Sequence, residues 1–193
     1  MHEHEPPAGP ASDPAIFWGE LAPCEHFVQI YREESGFLDN LSAFAAAGLA
    51  GGEAVIVIAT AAHRSSLEAR LVALGMDVGA AREERRYIAL DAADVLSRFM
   101  ERDWPDESRF EATILDVLDQ VGPAPRVRAF GEMVALLWAR GNNGATVRLE
   151  HLWDDFCRSH DLALFCAYPR IGATRDLDEA LAEVCALHSR VLT

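Results

Sequence analysis

The chain has 193 residues, half of them hydrophobic, with 17 basic and 31 acidic side chains and a formal net charge of −14. Every basic residue is an arginine, and without lysine there is no Schiff-base enzyme and no standard phosphate-binding loop, whose lysine reaches the β- and γ-phosphates. The acidity argues against nucleic acid and against an anionic membrane surface, both of which need a basic face. Residues 1–20 read as a flexible, acidic tail in which Pro6, Pro7, Pro10 and Pro14 block regular structure, while Ile16, Phe17 and Trp18 are apolar enough to dock on the body. The tail has no cationic stretch leading into an apolar one, and no apolar run approaches the roughly 20 residues of a membrane-spanning helix. A cytoplasmic location is therefore expected.

Strand and helix patterns then alternate. His26 to Tyr31 reads as a short apolar strand, and Glu33 to Ala50 as a helix whose Phe37, Leu41, Phe44 and Leu49 recur at helical spacing until Gly51 and Gly52 stop it. Ala54 to Thr60 is apolar on both faces, as in a central parallel strand. A helix from Ala62 to Leu74, a strand from Tyr87 to Asp91 and a helix from Ala93 to Met100 follow. Trp104-Pro105 breaks the pattern. Beyond it come a helix from Glu107 to Val121, a strand from Arg126 to Phe130, helices from Glu132 to Arg140 and Ala145 to His160, a strand from Leu162 to Tyr168, and an amphipathic helix from Asp176 to Val191.

This alternation predicts an α/β fold with a mainly parallel central sheet flanked by helices on both faces. The expected division is a tail over 1–20, an α/β domain over 21–172 and a C-terminal amphipathic helix over 173–193. In such sheets ligands bind beyond the carboxyl ends of the strands. Tyr31, Thr60, Glu132 and Tyr168 fall there, His63 just after the second strand, and Arg128 in the strand that Glu132 closes. These six are the candidate ligand-binding residues. Glu132 reads equally as a ligand-contacting carboxylate, or as a first-turn helix residue paired with Arg128 or Arg148. The first strand–helix junction, Tyr31-Arg32-Glu33-Glu34-Ser35-Gly36, carries carboxylates where a phosphate loop would carry lysine.

No nucleophile elbow is present, and no catalytic residue or cofactor is expected. Cys24, Cys157, Cys166 and Cys185 form no C-x-x-C pair and are expected to be reduced and buried. Cys185 and His188 stand one helical turn apart, but a single pair falls short of zinc's four ligands, so no metal site is expected.

Four stretches are distinctive: His26 to Tyr31 with the acidic helix start after it, Gly48 to Thr60 (GLAGGEAVIVIAT) with His63, Arg128 to Trp138 (RAFGEMVALLW) with Gly141, and Leu149 to Trp153 with Cys166 to Pro169 (CAYP). In these the chain resembles the MEDS family, the sensory domain of methanogens, methylotrophs and the regulator DcmR. The resemblance implies a three-layer sandwich similar to the KaiC/RecA core with its nucleotide loop lost. It also implies a sensor of small, hydrocarbon-derived or other, ligands, of the kind joined to helix-turn-helix, histidine-kinase or anti-sigma modules. Neither the tail nor the last helix is large enough for such a module, so a stand-alone sensor acting through a partner protein or its own dimer is expected. The alternatives are a ligand-independent adaptor for a kinase or anti-sigma factor, docking through Leu177, Leu181, Val184 and Leu187, and a residual nucleotide hydrolase using Glu132.

Overall fold

The computed structural model describes residues 18–19, 21–22, 24–170 and 175–192, with the side chains of 175–177 left aside. The tail's Ile16 and Phe17 and the possible partner face at Leu177 lie outside the described residues and side chains. In chain order the elements are β1 (His26–Tyr31), α1 (Glu34–Ala50), β2 (Ala54–Ala59), α2 (Ala61–Ala73), α3 (Val78–Glu83), β3 (Tyr87–Asp91), α4 (Ala92–Phe99), β4 (Met100–Glu101) and β5 (Trp104–Pro105). They continue with α5 (Glu107–Leu118), β6 (Val127–Gly131), α6 (Met133–Ala139), α7 (Asn143–His160), β7 (Ala163–Pro169), α8 (Arg175–Leu187) and β8 (Arg190–Leu192).

Six strands form one sheet in the order β3-β2-β6-β7-β1-β8, and every pairing in it is parallel. Ala54 to Ala59 in β2 are buried throughout, because helices cover both faces. On one face Phe37, Leu41 and Phe44 of α1 with Leu67 and Leu71 of α2 pack over Phe27, Val55, Val57, Phe130 and Phe165. On the other, α4 to α8 pack over Val28, Ile56, Ile58, Ala129, Leu164 and Cys166, through side chains such as Phe99, Phe110, Leu137, Trp153 and Val184. Alternate residues of each strand serve alternate faces, as a pleated strand requires. The result is the expected three-layer sandwich, with α1–α3 as one outer layer and α4–α8 as the other.

Strand ends double as helix starts. The Thr60 hydroxyl accepts from the His63 backbone N–H and caps α2, and the Asp91 carboxylate accepts from Ala93 and Asp94 and caps α4, each satisfying donors that the first helical turn leaves free. At the other end, Gly75 (φ 83°) and Gly141 (φ 72°) follow α2 and α6 in left-handed conformations that glycine adopts without strain.

Several expectations need correction. The pattern between Gly75 and Tyr87 concealed α3, a six-residue helix too short for periodicity to reveal. Trp104-Pro105 is not only a break, since β5 pairs antiparallel with β4 as a two-residue ribbon. The last helix stops at Leu187, and Arg190 and Val191, expected to continue it, instead form β8 with Leu192, against Phe27 to Gln29 of β1. Residues 190–192 thus add an edge strand to the sheet, and part of the apolar face of α8 is used internally: Val184 is fully buried and Leu181 packs on the same core. Trp18 does dock, against Phe27, Phe44 and Phe165.

Candidate functional site

The crossovers follow one logic. Connections leaving β1 and β2 run towards β3 beneath α1–α3, whereas those leaving β3, β6 and β7 run the opposite way beneath α4–α8, as a single crossover hand demands. Neighbouring strands whose connections leave to opposite faces of the sheet can leave a crevice at their carboxyl ends. Two such places exist, between β2 and β6 and between β7 and β1.

At the first, Glu132 follows β6 directly and its backbone N–H donates to Ile58 of β2. One carboxylate oxygen accepts from the Thr60 backbone N–H at 2.7 Å, and the other from the Thr60 hydroxyl at 3.3 Å. His63, in the first turn of α2, lays Nδ1 2.8 Å from the same carboxylate, while its Nε2 lies 3.2 Å from Glu34 at the start of α1. Phe37 meets the His63 ring edge-on with centroids 5.1 Å apart, and Tyr31 stacks on Phe37 at 4.7 Å. Tyr31, Thr60, His63 and Glu132 therefore come together in space, joined by Glu34 and Phe37.

The electrostatics follow from this geometry. The hydrogen bond that the His63 imidazole donates to Glu132 holds it above its usual range; burial opposes this, and the charges of Glu132 and Glu34 reinforce it. Burial raises the Tyr31 hydroxyl to about 12, with the negative charges of Glu132 and Glu34 adding to the effect. In its protonated form His63 donates to two carboxylates at once, so the imidazolium clamps the starts of α1 and α2 to the end of β6.

Two candidates lie elsewhere. Arg128 stands early in β6, at the opposite end of the sheet, where it is 1% exposed. Its Nε donates to Glu53 and its Nη1 to the carbonyls of Trp18 at 2.6 Å and Phe44 at 3.3 Å. Neither Arg128 nor Arg148 pairs with Glu132, since Arg148 bonds to Glu107. Tyr168 does reach the end of β7, but its side chain faces α6 and α7, against Trp138, with its hydroxyl donating to Glu150. Strand alternation decides that outcome: Tyr31 and Tyr168 leave their sheet on opposite faces.

Sequence reasoning missed Glu34 as a site residue because it reads as an ordinary first-turn acid, favourable to the helix dipole. Its one signal was the His63 position three residues after a strand-end threonine. A buried polar group around Glu150, His26 and His188 was also missed, because its members are scattered along the chain. Hollows of about 520 and 480 Å3, near Trp104 and near Leu74, lie away from the strand ends. No helix among the described residues is long and apolar enough to cross a membrane.

The chain is thus a parallel α/β sandwich with polar groups gathered at a strand-end crevice. Residues 25–189 match the family model described as MEDS, the methanogen/methylotroph, DcmR sensory domain, and the chain belongs to that family. No curated protein matches the chain. The family assigns a sensory role.

Proposed function

We propose that the protein is a non-enzymatic sensor in bacterial signal transduction that takes a small ligand at the β2–β6 crevice and acts in the cytoplasm through a partner protein or a homodimer. The observation that carries this reading is the His63 bridge between Glu132 and Glu34. Two carboxylates around one imidazole repel phosphate and suit a neutral or cationic molecule with hydrogen-bond donors. A hydrocarbon-derived alcohol or amine has that chemistry, and the Tyr31 and Phe37 rings offer its apolar part a surface. Such a ligand would compete with His63 for the carboxylates and loosen α1 and α2 from β6. The bound and free states then differ at helices that a partner can read.

Calorimetry with short-chain alcohols and amines, set against inorganic phosphate and ATP, tests this. Binding of an alcohol or amine that is lost in Glu132→Gln supports the sensor; binding of ATP, or ligand binding indifferent to Glu132→Gln, overturns it.

The adaptor reading has one observation in its favour: the Glu132 carboxylate is already satisfied by Thr60 and His63 within the chain. Part of the apolar face of α8 is already taken up by the core, with Val184 buried and Leu181 packed beside it. Under this reading a partner binds the Glu132→Gln protein and the unaltered protein equally, with no ligand present.

A further inference from the structure

On the far face of the sheet, well away from the strand-end cluster, four buried side chains from four separate segments point at one place. We propose that His26 of β1, Glu150 of α7, Cys166 of β7 and His188, just after α8, bind one divalent transition-metal ion of the zinc class.

All four residues are at most 8% exposed, and Glu150 and Cys166 are fully buried. His26 Nε2 lies 3.5 Å from Glu150 Oε2 and 3.5 Å from Cys166 Sγ. Cys166 Sγ is 3.5 Å from Glu150 Oε2, and His188 Nε2 is 3.4 Å from that same oxygen. A tetrahedral zinc ion, with bonds of about 2.0–2.3 Å, holds its ligand atoms about 3.3–3.8 Å apart. Four of the six separations already have that length, and the other two are no more than 4.8 Å.

His188 has the outer partner that a metal-bound histidine requires. His188 Nδ1 lies 2.6 Å from the Val184 carbonyl, to which it donates, so its Nε2 turns a lone pair inward. That Nε2 has no hydrogen-bond partner, and neither has His26 Nδ1, whose nearest acid is Asp154 at 3.9 Å. The Tyr168 hydroxyl holds the other Glu150 oxygen. Burial, with His188 beside it, lowers His26 to about 3, which keeps its imidazole in the neutral, ligating form. Burial alone would raise the Glu150 carboxyl, but His188, His26 and Tyr168 outweigh it and hold it below its usual range.

The charges also close. Metal binding breaks the Cys166 S–H bond, forms a sulfur–metal bond and releases the proton to solvent. A divalent cation with one thiolate, one carboxylate and two neutral imidazoles is then neutral overall, the state a fully buried site favours. With four protein ligands the site is closed and structural rather than catalytic. It would pin α8 and β8 to the sheet.

The test is metal analysis of the full chain, followed by cobalt substitution. Purified protein should carry about one zinc per chain, and cobalt added to the stripped protein should give a sulfur-to-cobalt absorption band. Cys166→Ser should abolish the band, and Tyr168→Phe should weaken metal affinity about 10- to 100-fold while leaving all four ligands in place. His2→Ala/His4→Ala and His151→Ala should leave the band unchanged. A folded, stripped protein that shows no band, a band that survives Cys166→Ser, or binding that vanishes only with His2 and His4 would each overturn the proposal.

Discussion

Replacing Arg128 with methionine isolates what the arginine does at the amino end of the sheet. The methionine fills the space of the aliphatic stem, so the loss is confined to the guanidinium. That group is bound to Glu53 and to the carbonyls of Trp18 and Phe44, and it sits 5.5 Å over the Phe44 ring. Its removal strands the Glu53 carboxylate, whose side chain is only 11% exposed. Breaking one partner out of a buried pair costs about 3–5 kcal/mol. The slight exposure of Glu53 puts this case near 3 kcal/mol, about a 150-fold shift in the folding equilibrium. Urea unfolding followed by circular dichroism measures it. Adding Glu53→Gln to the methionine variant removes the stranded charge and should recover at least about 1 kcal/mol, a coupling that a double-mutant cycle extracts. A loss below about 1 kcal/mol, or a double variant no more stable than the single one, would refute this account of the pair. Gly48 belongs to the same seat, because a Cβ there would stand 2.8 Å from Arg128 Cδ and 3.0 Å from Val55 Cγ2.

Further outcomes can be measured on the same protein. Because folding raises the His63 imidazole, its stabilising contribution is full below its unfolded value near pH 6.5 and is lost as pH rises through the higher folded value. The melting-temperature gap between the unaltered protein and His63→Gln should therefore be widest in mild acid and shrink in mild alkali; a gap that grows with pH contradicts the bridge. Asp161 ends α7 in a left-handed conformation, φ 51° and ψ 46°, so Asp161→Gly should stabilise the chain by up to about 1 kcal/mol in thermal unfolding. Burial pushes the Cys157 and Cys166 thiols well above their ordinary range, whereas Cys24 and Cys185 are half-buried. Native protein should then react with a thiol reagent at Cys24 or Cys185 first, and rapid labelling of Cys157 would contradict the packing of α7.

The strands were legible because apolar runs such as AVIVIA in β2, buried on both faces, have few other uses in a soluble chain. Their residue limits come within one position of the expected ones, β1 and β3 matching at both ends. β8 was not legible, because three residues with an exposed arginine carry no period of their own and only β1 gives them a place. Among the candidate site residues, Thr60, His63 and Glu132 could be placed by a topological rule that needs only strand order and direction. Arg128 was misplaced because its neighbours in sequence, Phe130 to Glu132, lie at the other end of a five-residue strand. Tyr168 went wrong by one step of alternation, which decides the face but leaves no mark in an all-apolar run such as LALFCAY. The group around Glu150 was beyond sequence reach, since its members come from β1, α7, β7 and the turn after α8.

The strand order has a kinetic side as well. Among the described strands β1 comes first along the chain, yet its partners are the last two: His26 lies beside Leu164, and Phe27 beside Arg190. The apolar HFVQIY segment must therefore wait until β7 and β8 have been made before it can be covered on either edge. Contacts this distant in sequence slow folding and lengthen the time for which a sticky strand is open to other chains. The order along the chain and the order of pairing are thus opposed, and β1 is enclosed only once β7 and β8 stand on either side of it.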